Sequence, residues 1–139
     1  MSRSPEKAPA TEPMVRADGT YPTIALRKDA ITATVVQTRV QGINGANPAP
    51  DLKRNLDYFL ECIDIAQGFG PPSDLLLFHE FPITGFSEWT RDQHYNLSLE
   101  IPGPETEEVA KRARKYNCYI VFGTYAKDPK NWPGHILHL

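Results

Sequence analysis

The sequence predicts an α/β fold built on a βαβ unit, with a further helix and strands after it, and three observations carry that reading. Ile31 to Thr38 is rich in β-branched residues, the composition of a strand on a packed sheet. Behind Asp51, Leu52, Leu56, Phe59, Leu60 and Ile63 recur at spacings of three and four, the period of an amphipathic helix. Leu75 to Phe78 is then an unbroken apolar run, which reads as a strand covered on both faces of a sheet. Strand, helix and strand within about 50 residues make a βαβ unit whose crossover is right-handed and whose strands are parallel neighbours or nearly so.

Taken in order, residues 1–28 come first, with Pro5, Pro9 and Pro13 among Ser, Glu, Lys, Ala and Thr and no helical or strand period. Such a stretch buries too little to offset the entropy of ordering, so it reads as a flexible tail, with the folded domain spanning 29–139. After the first strand, Gly42, Asn44, Gly45, Asn47, Pro48 and Pro50 mark a loop. Asp51 suits the N-cap of the helix, whose about four turns end at Gly68, Gly70, Pro71 and Pro72. The central strand closes on His79 and Glu80, and Phe81, Pro82 and Gly85 turn the chain away. Trp89 to Leu99 lacks a clear period and reads as a loop or short helix. Ile101 to Pro104 is a turn, with Pro104 suited to the first helical position because its missing N–H is not needed there. The helix that follows has Glu105, Glu107 and Glu108 at its start and Lys111, Arg112, Arg114 and Lys115 at its end, the charge order its dipole favours. Tyr119 to Tyr125 reads as a third strand, Lys127 to Trp132 as a turn, and His135 as the start of a fourth strand.

Composition excludes several classes of function. With 15 basic and 17 acidic residues, a formal charge of -2 and a pI near 6.1, the chain presents no basic field for nucleic acid or an anionic membrane. No apolar segment approaches the roughly 20 residues that span a bilayer, and residues 1–28 contain no h-region of the kind a signal peptide has. Two distant cysteines, Cys62 and Cys118, make no disulfide framework, and the natural setting is a reducing cytoplasm.

Glu80 is the first candidate for chemistry. An acid at the carboxyl end of an inner strand sits where open α/β sheets place their ligands. Burial there would strip its hydration and raise its pKa toward the range in which it can accept and return a proton. The plainer alternative is a carboxylate that caps a helix or pairs with an arginine.

Three segments in order carry a family resemblance: Leu75-Leu-Leu-Phe-His-Glu-Phe-Pro-Ile-Thr-Gly85, Ile101-Pro-Gly-Pro-Glu-Thr106 and Tyr119-Ile-Val-Phe-Gly-Thr124. Together they resemble the N-terminal half of the nitrilase superfamily of carbon–nitrogen hydrolases, over Ala30 to Leu139. The resemblance implies an α-β-β-α sandwich, of which this chain supplies the N-terminal half, and hydrolysis of amides or nitriles through a Glu, Lys, Cys triad with no cofactor and no metal. Glu80 aligns with the family's general base. His79 stands where the family has Pro, and either hydrogen-bonds beside Glu80 or fills space.

The family's Lys and Cys lie beyond the strand that begins at His135, so Lys127 and Lys130 do not match the lysine, and Cys62 and Cys118 read as packing residues. The expectation is therefore a truncated member, inactive alone, that would act on a small amide or nitrile only when completed by its missing half. Association into homo-oligomers is also implied by the resemblance. Two other readings stand beside it. The chain is a non-catalytic oligomerisation or interaction module, since half a sandwich leaves apolar surface open. Or His79, Glu80, His94, His135 and His138 hold a metal, against which Ile83 occupies the place of the second His in H-E-x-x-H and Pro82 would break the helix. Phe81, Phe86, Trp89, Tyr95 and Trp132 either line a pocket or pack a core.

Overall fold

The computed structural model of the chain describes residues 17–19 and 29–139. The tail expected over residues 1–28 lies outside the described residues except for a turn at 17–19. Ile31–Leu139 forms one compact unit that holds every element named below.

Strand β1 (Ala33–Val36), helix α1 (Ala49–Gly68) and strand β2 (Leu75–Phe78) form the βαβ unit, and β1 pairs with β2 in parallel, Val35 beside Leu77. Helix α2 (Arg91–Leu97), strand β3 (Leu99–Glu100), helix α3 (Pro104–Tyr116) and strand β4 (Tyr119–Val121) follow. β4 joins the other edge of β2, again in parallel, so the first sheet runs β1-β2-β4 with β2 at its centre. Strands β5 (Tyr125–Asp128) and β6 (Trp132–His138) form an antiparallel hairpin that pairs with β3 in a second sheet, β3-β5-β6. Among the described residues no helix is long and apolar enough to cross a membrane.

α1 covers 20 residues, longer than the four turns expected, because Pro50 is accommodated in its first turn, where no N–H is needed. Asp51 is consequently not the N-cap. It lies inside the helix, and its carboxylate accepts from the Asn44 amide at 2.8 Å and pairs with Arg54. The apolar stripe of α1 faces the sheet as its period requires: Phe59, Leu60 and Ile63 pack with Leu76, Ile83, Leu99 and, from α3, Val109. Phe59 stands edge-on to Phe78 and Phe122, with centroids 4.6 and 5.0 Å away. α2 realises the short helix, opened by a reciprocal pairing of Thr90 and Gln93. α3 begins at Pro104 as expected.

Two further expectations are corrected. β2 is covered on one face only: Leu76 is fully buried beneath α1, whereas the opposite face, with Val35 (78 % exposed), Tyr119 (79 %) and Val121 (50 %), is open among the described residues. α1 and α3 both pack on the Leu76 side of the sheet, which is why the apolar run alone did not foretell the outcome. The strand expected over Tyr119–Tyr125 is two strands, β4 and β5, in different sheets. The chain changes sheet at Gly123, and the hairpin turn therefore shrinks to residues 129–131, with β6 starting at Trp132 rather than His135.

Candidate active site

Three parallel strands end together on the side of the sheet where β2 delivers His79 and Glu80. The Glu80 backbone is fixed from the β4 side by Gly123, whose N–H donates to the His79 carbonyl at 3.4 Å. A Cβ at position 123 would lie 2.6 Å from the Glu80 carbonyl oxygen and 3.0 Å from its Cα, so only glycine lets the two segments approach this closely. Beyond Glu80 the turn Phe81–Gly85 is buried. Gly85 closes it with φ +64°, a conformation glycine adopts freely, and a Cβ there would meet the Gln41 carbonyl oxygen at 2.2 Å. Asn55 of α1, fully buried, secures the same turn by donating from Nδ2 to the carbonyls of Gln41 (3.1 Å) and Ile83 (3.0 Å).

The Glu80 carboxylate is not desolvated. Its side chain is 59 % exposed, and Oε1 lies 2.8 Å from Nε2 of His138 on β6. The expected burial fails because the strand end is roofed on one side only, by a stack of rings from the second sheet and the turn. Phe81 lies face to face with Tyr125 (4.5 Å), His138 (5.3 Å) and Phe86 (5.6 Å). His94 of α2 stands edge-on to Tyr125 at 4.1 Å, with Trp89 5.5 Å from it. Burial, and then the negative charge of Glu80, push the Tyr125 hydroxyl above its ordinary pKa, so it stays protonated beside the carboxylate. Burial holds His94 below its ordinary value, and its Nε2 is enclosed without a hydrogen-bond partner among the described residues.

His79 is half-buried, with Nε2 2.5 Å from the Thr38 hydroxyl and Nδ1 accepting from the Phe81 amide at 3.3 Å. It therefore hydrogen-bonds beside Glu80 rather than merely filling space, and burial holds it below the ordinary histidine pKa. The other singled-out residues scatter. His135 stands over Trp132 at 6.1 Å, and Trp132 is 57 % exposed. Lys127 directs Nζ to the Tyr95 and Asn96 carbonyls, at 3.4 Å each, and lies over the Tyr95 ring. Among the described residues no three His, Cys, Asp or Glu side chains gather to hold a metal ion.

Neither cysteine is poised as a nucleophile. Burial pushes both thiols above their ordinary pKa, which favours the unreactive form. Cys118 precedes Tyr119, which pairs with Leu75 at the amino end of the sheet, roughly 20 Å along the strands from Glu80. Grooves of about 480 and 530 Å³ run along α1 and α3, lined by Leu60, Asp57 and Arg112, and Glu80 lines neither.

Two contributors to this arrangement escaped the sequence reading. Asn55 sits in the polar gap between Leu52 and Leu56 on one side and Phe59 on the other, and an amide in phase with an apolar stripe was the available signal. Tyr125 ends a β-prone stretch in which nothing local distinguishes its face. Compared with known families, residues 32–137 match the family model described as carbon-nitrogen hydrolase.

Proposed function

This chain belongs to the carbon–nitrogen hydrolase family, and from that premise we propose that Glu80 is the general base for cleavage of an amide or nitrile C–N bond. The observation that carries the reading is its place: the first acid past the central strand β2, its backbone fixed by the bare Cα of Gly123 and its carboxylate reachable from solvent.

Amides and nitriles are weak electrophiles, so their hydrolysis gains from a thiolate nucleophile and a cation that stabilises the developing charge. The carboxylate takes the thiol proton as sulfur bonds to the substrate carbon. It returns that proton to the departing amine, and then takes one from the water that cleaves the thioester. The His138 imidazole holds one carboxylate oxygen at 2.8 Å, and the charge of Glu80 helps to keep the Tyr125 hydroxyl protonated.

Since no cysteine adjoins Glu80 among the described residues, the thiol and the lysine are supplied from outside residues 29–139. Ammonia release from short aliphatic amides and nitriles tests this. The purified 139-residue chain is expected to turn over none of them. A longer chain whose reading frame continues through the family's lysine and cysteine is expected to be active, with Glu80→Gln lowering kcat by about 100-fold or more. Equal activity of wild type and Glu80→Gln would remove Glu80 from the mechanism.

A second reading is favoured by the open sheet face. Val35 on β1 and Tyr119 and Val121 on β4 present apolar surface on the two strands that flank β2, the kind of surface that associates. In that reading the chain works as an oligomerisation or interaction module. Sedimentation velocity yielding a stable monomer at all concentrations counts against it.

A further inference from the structure

We propose that His79 is a positioning residue for Glu80: a neutral imidazole, protonated on Nε2, that ties the exit of β1 to the turn following the carboxylate. The inference rests on the reading of Glu80 as the base and adds how the strand end that carries it is held.

The hydrogen bonds fix the tautomer. The Phe81 amide has only a proton to offer, so Nδ1, 3.3 Å away, must present its lone pair. The ring proton is then on Nε2 and is donated to the Thr38 hydroxyl oxygen at 2.5 Å. The imidazole thus bridges β1 to residue 81 across the very residue whose carboxylate is at issue. From the opposite side Gly123 donates to the His79 carbonyl and packs on the Glu80 backbone. The family's Pro at this position would stiffen the strand end through its ring. Histidine has no such ring constraint and achieves the restraint with two hydrogen bonds, one of which depends on an unprotonated Nδ1.

That dependence makes the restraint sensitive to acid. A proton on Nδ1 would set N–H against N–H at Phe81 and turn the bond into a repulsion. The charged groups nearest to it along the chain are Glu80, next to it and paired with His138 of β6, and Arg39, which follows Thr38, and burial rather than either charge sets the direction of its pKa. Burial keeps the neutral form dominant at neutral pH.

The test is nuclear magnetic resonance of the 139-residue chain labelled with ¹⁵N. At neutral pH His79 is expected as the Nε2–H tautomer. On acidification the Phe81 amide signal is expected to move in step with the His79 titration, its exchange with solvent speeding at least about tenfold. His79→Pro is expected to abolish the acid-induced rise in exchange of the Phe81 amide while ring contacts between Phe81 and His138 persist. Thr38→Val, which keeps the shape and removes the acceptor, is expected to weaken protection at Phe81. An Nδ1–H tautomer, or a Phe81 amide that ignores the His79 titration in the wild-type chain, overturns the proposal. None of these readouts involves turnover, so their failure is separate from a failure of Glu80→Gln to affect hydrolysis.

Discussion

At the scale of the residue, two uncharged groups do most to place the candidate base. Gly123 matters by what it lacks, because any side chain would drive into the Glu80 backbone. Gly123→Ala is expected to destabilise the chain by about 1–3 kcal/mol, read as a lower urea midpoint, since a backbone segment rather than a flexible side chain must give way. Asn55 matters by what it satisfies. Removing its amide leaves the buried carbonyls of Gln41 and Ile83 without their donor, and Asn55→Leu is expected to cost about 1–3 kcal/mol in the same measurement. A variant with unchanged midpoint would mean that water reaches those carbonyls.

At the scale of the element, α1 joins the site to the core. Its Phe59 is 1 % exposed and wedged between the rings of Phe78 and Phe122. Phe78 is the residue before His79, so the packing that stabilises α1 also anchors the strand end. Phe59→Ala is expected to cost about 3–5 kcal/mol, while Phe59→Leu, which leaves a smaller cavity, costs less. Gln67 and Ser73 secure the other end of the crossover through a reciprocal pair of hydrogen bonds, at 3.0 and 3.1 Å, that sets where β2 begins. The helices were legible because period 3.6 is a local property. The division of residues 119–128 between two sheets was not, because Tyr119 to Phe122 and Tyr125 to Ala126 are both β-prone and which strand each pairs with is set by distant segments, β2 for β4 and β3 and β6 for β5.

At the scale of the whole molecule, acid and association are the two levers. His79 and His94 are both held below the ordinary histidine pKa by burial, so the unfolded chain binds their protons more readily than the folded one. The stability that follows is complete above about pH 6.5 and is lost as pH falls through the lower, folded values. Thermal melts between pH 7.5 and 5 are expected to show that decline, and His79→Gln to make it shallower. The open face of the β1-β2-β4 sheet is the second lever. Val35→Lys or Tyr119→Lys is expected to reduce self-association in sedimentation experiments, with little loss of stability because both side chains are largely exposed.

The α/β class, the parallel βαβ unit, the start of α3 at Pro104 and the position of Glu80 just past the central strand follow from the order of residues, because periodicity, turn chemistry and an apolar run ending on an acid are written locally. Which face of that sheet is covered, the pairing of Glu80 with His138 across 58 positions, and the solvent access of the carboxylate were decided only by the tertiary structure. Desolvation and pairing depend on what distant segments bring to a point in space, and no local pattern around residue 80 encodes where β6 will lie.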